Sequence, residues 1–363
     1  MLRPALLAVW LSLGVSLTLA VEPTPPIVRG FMVPDEAEAD VFPAAKSWGA
    51  NVVRYQIDPA NFATQRKQAV MEAWPALLEQ TIAAVRAAAD AKLKVVVDLH
   101  NFPLDGAERT APATWALPEL EKNCVRVWED LARGLHPYRE AIWGYDLYNE
   151  PVEVVPGFPD GREPKAWRPL ALNLLKAIRA IDPQVWIIYE VGPWAGAEGF
   201  AGLEPLPDPR VIYSLHFYEP GVFTHQGVLD VEGTAFAEAL KKTGIAYPGK
   251  IGDELWDKAR LESLLAPVDA FQAKYHMPIY VGEFSVVRWA PPGSGARWLA
   301  DVIDLFEARH WSWTYHAFRE WNGWSLEHNG QFWMNGMEPP QPAISETDRA
   351  VVVRQALARN ASR

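Results

Sequence analysis

Cysteine is almost missing from this chain: Cys124 is the only one among 363 residues. No internal disulfide and no cysteine-based metal site can be built, so Cys124, inside a helical pattern, reads as a small apolar core group. Stability must then come from packing. Positive charge is also short, with 34 Lys and Arg against 45 Asp and Glu and a formal net charge of -11. That balance argues against a nucleic acid or an anionic membrane surface as partner and favours a neutral or cationic ligand. Beyond residue 20 no apolar run is long enough to cross a bilayer. Missing too are G-x-G-x-x-G after an early strand, a P-loop, H-E-x-x-H and G-x-S-x-G, so no motif supports a dinucleotide site, a zincin or a serine hydrolase.

The first twenty residues differ from the rest. Arg3 precedes the uncharged stretch 4–20, which ends Thr18-Leu19-Ala20, so residues 1–20 are expected to be a secretory signal peptide. A retained anchor is the alternative, at the short limit for spanning. The expected product is an exported protein, residues 21–363, soluble and monomeric.

The composition that remains is rich in tryptophan, with 17 residues, and 49% hydrophobic overall. Flat aromatic faces suit the CH faces of sugar rings, although most of these rings are expected in the core. Apolar runs alternate with helical patterns along the chain. Strands are expected at 27–33, 51–57, 95–100, around 141–150, at 185–190, 211–218, 278–283 and 311–318. Helical patterns follow them, and the last, 345–360, is expected to be capped by Ser345 with Asp348 three residues on. Uninterrupted apolar strands such as Val95-Val96-Val97 are buried on both faces, as in parallel sheets. Eight strand–helix units without a linker give an α/β fold, a (β/α)8 TIM barrel as one domain, with its chemistry at the C-terminal strand ends. The long segment 219–257 after the sixth strand is expected to wall the cleft.

Those strand ends carry Arg54, His100, Asn149, Glu150, Glu190, His216, Tyr218, Glu283 and His316. A strand-end His is, taken singly, more often a hydrogen-bonded structural residue than a catalyst. Together, so many ionisable groups at one mouth would be costly to bury without a task. Two carboxylates on strands four and seven are what glycosidic cleavage requires, one protonated to donate to the leaving oxygen and one ionised to attack or to activate water. Arg54 and Tyr218 beside Glu283 would make Glu283 the nucleophile and leave Glu150 as acid, then base. A metal hydrolase built on His100, His216, His316 and both Glu residues, and a glycan-binding protein with idle acids, are the rival readings.

Asn149-Glu150-Pro151 at strand four and Glu283 at strand seven resemble the cellulase family, glycoside hydrolase family five, in the clan of retaining barrel glycosidases. Arg54, His100 and His216-Phe217-Tyr218 match the other family positions in order. The resemblance implies retaining hydrolysis of a β-linked glucan or related polysaccharide, most simply by an endo-acting β-1,4-glucanase, with a β-mannanase as the alternative. It also implies no cofactor and no metal. One position departs: where family members end strand eight with a Trp that floors the subsite beside the cut, this chain has His316. Trp194 and Trp321 are the candidates for sugar stacking, alongside His316 as a substrate contact.

Overall fold

The computed structural model of the protein describes residues 24–228, 241–334, 337, 338 and 340–362. The expected signal peptide and part of the long segment after strand six lie outside them. Eight parallel strands close into a barrel: β1 (Arg29–Val33), β2 (Val52–Ile57), β3 (Lys94–Leu99), β4 (Ile142–Asp146), β5 (Ile187–Glu190), β6 (Val211–His216), β7 (Ile279–Glu283) and β8 (Ser312–Tyr315), with β8 pairing back onto β1. This is the (β/α)8 barrel the sequence predicts.

Helices form the outer ring. In Pro118–Leu135 the proline sits at the first turn, where its missing N–H costs nothing, and Leu120, Cys124, Val127, Trp128, Leu131 and Leu135 recur at helical spacing to face the sheet. Cys124 is buried there, and burial pushes its thiol up. The closing helix, Asp348–Leu357, begins later than the sequence suggests. Its cap is Thr347, whose side chain accepts from the Ala350 N–H, and not Ser345. Thr347 sits directly before the first helical residue, where a cap oxygen can reach the open N–H groups, and Ser345 is two residues too early. The stretch 35–49 contributes only the short helix Val41–Ser47. Two small antiparallel hairpins, Glu153–Val155 with Phe158–Arg162 and Gly249–Ile251 with Glu254–Trp256, decorate the loops after β4 and β6.

The barrel interior is layered. Val28, Val52, Val96, Trp143, Ile188, Ile212 and Tyr280 make an apolar plug at its lower end. Two residues further along the same strands, the inward positions become Arg54, Asp98 and Glu190, because strand side chains alternate with period two. Two strands break that rule. Pairing is offset between β3 and β4 near Gly144, and between β6 and β7 between Val281 and Glu283. Such irregularities re-aim side chains. Asp146 and Glu283 thereby join the charged layer above the plug.

Candidate active site

Arg54 is the centre of that layer and is fully buried. Its Nε meets Asp146 at 3.0 Å, its Nη1 meets Glu283 at 2.6 Å, and its Nη2 meets Glu190 at 2.8 Å, Asn149 Oδ1 at 2.9 Å and Asp98 at 3.1 Å. One guanidinium thus faces four carboxylates. Burial, and repulsion from Glu190, raise Asp146 well above the usual carboxylate range, against the pull of Arg54. His100 bonds Asp98 at 2.8 Å through Nδ1 and so reaches Arg54 only through that acid.

Glu283 is held from three sides. Besides Arg54, Tyr218 Oη donates to its Oε2 at 2.9 Å, and His316 Nδ1 lies 3.0 Å from the same oxygen. Burial alone would raise its pKa, but His216, His316 and Arg54 outweigh burial and hold it well below the usual range. Burial and Glu283 together push the Tyr218 phenol up, so it stays a donor. A side chain on Gly282 would not fit, since a Cβ there would stand 2.9 Å from His216 Nε2 and 3.0 Å from Ser214 Oγ. The small residue before the acid makes room for the imidazole.

Glu150 comes from the turn just after β4, which stops at Asp146 and not at Glu150. Its φ is 48°, the left-handed region, at a cost of about 1–3 kcal/mol for a non-glycine residue. Its Oε1 contacts His216 Nδ1 at 2.8 Å, and Arg109 Nη2 donates to its Oε2 at 3.2 Å and to Asn149 O at 2.8 Å. Burial would strip the proton from His216, but Glu190, Glu283 and Glu150 around it raise its pKa well above that of an ordinary histidine.

Carboxylate oxygens of Glu150 and Glu283 and a nitrogen of His216 all lie within 4.8 Å of one another. Three such groups could in principle share a cation. Both nitrogens of His216 are already engaged by carboxylates, Nδ1 by Glu150 at 2.8 Å and Nε2 by Glu190 at 3.1 Å. Neither His100 nor His316 joins the group.

His316 lies between two acids, with Nε2 3.4 Å from Glu320, and burial, which would lower its pKa, is overcome by Glu283 and Glu320, so the pKa rises to about 10. It is an imidazolium beside the carboxylate of Glu283. Trp324, a residue the sequence reading passed over, stands against it with ring centroids 6.0 Å apart, and also against Tyr218 and His225. Trp321 is one ring further out, packed on Trp324 at 4.9 Å and on Trp289 at 5.8 Å. Only Asn322 and Gly323 separate the two tryptophans, and no periodicity distinguishes them in a loop. That loop is held from behind: buried Arg288 donates to the Asn322 and Asn329 carbonyls, and buried Arg349 to those of Ser325 and His328. Trp194 rests on the hairpin after β4, its Nε1–H donating to Asp160 O at 2.7 Å. Arg109, like Trp324, was not foreseen; it lies in an irregular loop after β3 that carries no motif.

A parallel barrel with two opposed carboxylates at the C-terminal mouth of its strands defines the class: it is the construction used for cleaving glycosidic bonds. The chain belongs to the cellulase family, glycosyl hydrolase family 5, whose model matches residues 21–322. Endoglucanase C of Acetivibrio thermocellus is 28% identical over 235 residues, covering 59% of this chain and 65% of that protein. The chain therefore spans just under two thirds of this relative's length. Cellodextrinase A of Ruminococcus flavefaciens is 25% identical over 262 residues, 71% of each. Among solved structures, endoglucanase Cel5A of Thermotoga maritima superposes with a TM-score of 0.64 at 24% identity, covering 82% of this chain and 91% of that one. Similarity at that level reports the fold. Among the described residues no helix is long and apolar enough to cross a membrane.

Proposed function

We propose that the protein is a retaining glycoside hydrolase, an endo-β-1,4-glucanase, with Glu283 as nucleophile and Glu150 as acid and then base. The observation that carries this reading is the spacing of the two carboxylates. Oxygens within 4.8 Å of each other leave room for an anomeric carbon between them. An inverting enzyme keeps its acids about 6.5–9.5 Å apart to admit a water, against about 5–5.5 Å for direct attack. The environment of Glu283 supports its role. Glu283, ionised by its cationic neighbours, attacks the anomeric carbon and expels the leaving oxygen, which takes a proton from Glu150. Glu150, then ionised, withdraws a proton from water as that water opens the glycosyl ester. Arg54, Asn149, His100, His216 and Tyr218 hold these groups in place, and His316 and the rings of Trp194 and Trp321 meet the sugar.

The substrate class is supported by the names of the relatives, endoglucanase and cellodextrinase. Arg3 and the uncharged stretch 4–20 support export after removal of residues 1–20, and the single closed barrel supports action of residues 21–363 as one catalytic domain, taken to be a monomer. The test is hydrolysis of soluble β-glucan, mannan and xylan, with the anomer of the first product read by NMR. Retention on β-glucan is expected; an inverted product would overturn the roles, and activity on mannan alone would overturn the substrate.

A further inference from the structure

Glu190, at the end of β5, is the one carboxylate of the charged layer that touches both halves of the catalytic apparatus without facing the cleft. Its side chain is fully buried. Its Oε2 accepts the backbone N–H of Glu150 at 2.6 Å, while its Oε1 meets His216 Nε2 at 3.1 Å and Arg54 Nη2 at 2.8 Å. The other nitrogen of His216 contacts the Glu150 carboxylate at 2.8 Å. Glu190 therefore reaches Glu150 twice, once through the peptide and once through the imidazole. Both contacts act on a residue whose backbone is in the left-handed region, with φ of 48°. That conformation persists only where the surroundings over-determine it.

We propose that Glu190 is a positioning residue for the acid/base: it fixes the Glu150 peptide through the N–H and aims the Glu150 carboxylate through the His216 imidazolium. The inference rests on the assignment of Glu150 above. It also says why an acid, and not an amide, ends β5. All three groups that meet Glu190 are donors, so Gln of the same shape must turn an N–H toward at least one of them.

The experiment compares kcat/KM, which reports the step that forms the glycosyl-enzyme, on a cello-oligosaccharide and on 2,4-dinitrophenyl β-cellobioside. The dinitrophenolate leaves without a proton; the sugar alcohol does not. Glu190→Gln is expected to lower kcat/KM on the oligosaccharide by about 100-fold, within the range that general acid catalysis contributes, and on the dinitrophenyl substrate by less than about tenfold. A defect passed through Arg54 to Glu283, or a general loosening of the barrel, slows both substrates alike, and that result would overturn the proposal. Glu190→Asp, which keeps the charge but shortens the reach to the Glu150 N–H, is expected to show the same selectivity more weakly; it serves if the Gln variant does not fold, and equal losses on both substrates count against the proposal there too. Glu150→Gln is the control. If that variant shows no selectivity between leaving groups, the acid/base assignment itself fails; if it does and Glu190→Gln does not, only the role of Glu190 fails. In the double variant, the two losses on the oligosaccharide should not multiply.

Discussion

His316 and Glu283 form an ion pair, with Nδ1 3.0 Å from Oε2, just past the end of β8. The imidazolium is part of what keeps Glu283 ionised. Replacing His316 by Asn removes the cation and keeps a polar group. The acidic limb of kcat/KM is expected to move to higher pH, since Glu283 loses one of the charges that depress it. The same exchange affects folding. A histidine whose pKa is raised to about 10 contributes stability that is complete below about 6.5 and is lost as pH climbs through about 10. Thermal denaturation of the two proteins should therefore differ most at pH 6 and converge in strong alkali. An unmoved acidic limb would show that Arg54 and His216 suffice.

Gly282 offers a test of packing around the imidazole. Gly282→Ala puts a methyl group 2.9 Å from His216 Nε2, in a side chain already fixed at both nitrogens. The ring must shift, and the expected loss in kcat is at least tenfold with KM little changed, because a misplaced catalytic group lowers turnover more than binding. Steady-state kinetics on the wild type and variant decide it.

Trp194 leans on the hairpin after β4, its indole N–H held by the Asp160 carbonyl. Trp194→Ala is expected to raise KM for a long soluble glucan by about tenfold, equivalent to about 1.4 kcal/mol, while leaving an aryl cellobioside nearly unaffected. Equal effects on both would place the ring beside the cut.

At the lower end of the barrel, Arg29 and Glu307 form a two-point pair at 2.5 and 2.6 Å, and Trp313 Nε1 donates to the same carboxylate at 2.8 Å. Burial would raise the pKa of Glu307, but Arg29 and Trp313 lower it overall. The carboxylate thus contributes stability that is present above about 4.5 and is lost as pH falls through its depressed value. Glu307→Gln is expected to destabilise the fold by about 3–5 kcal/mol at pH 7 and by less in acid, with kcat unchanged. Urea unfolding at two pH values measures both.

The barrel was legible because its strands are uninterrupted apolar runs and its helices carry apolar stripes at 3.6-residue spacing. The site was legible as a set of strand ends for the same reason, and Arg54, Glu283 and Tyr218 meet as the sequence suggested. Two kinds of feature were not. Pairing offsets in β4 and β7 depend on neighbouring strands, so a period-two reading that turns Gly282 inward cannot also turn Glu283 inward. Loop residues such as Arg109 and Trp324 reach the site by backbone paths with no period at all. Local spacing points to Ser345 as a cap, whereas Thr347, directly before the helix 348–357, holds that place.

Arg288 and Arg349 each grip two carbonyls of the loop that bears Trp321 and Trp324. Neither guanidinium is poised to meet a sugar, yet the aromatic face of the groove stands where these backbone grips leave it. Its width is accordingly governed in part from the far side, and a substitution at either concealed cation is expected to move the aromatic face without altering a residue that lines the groove.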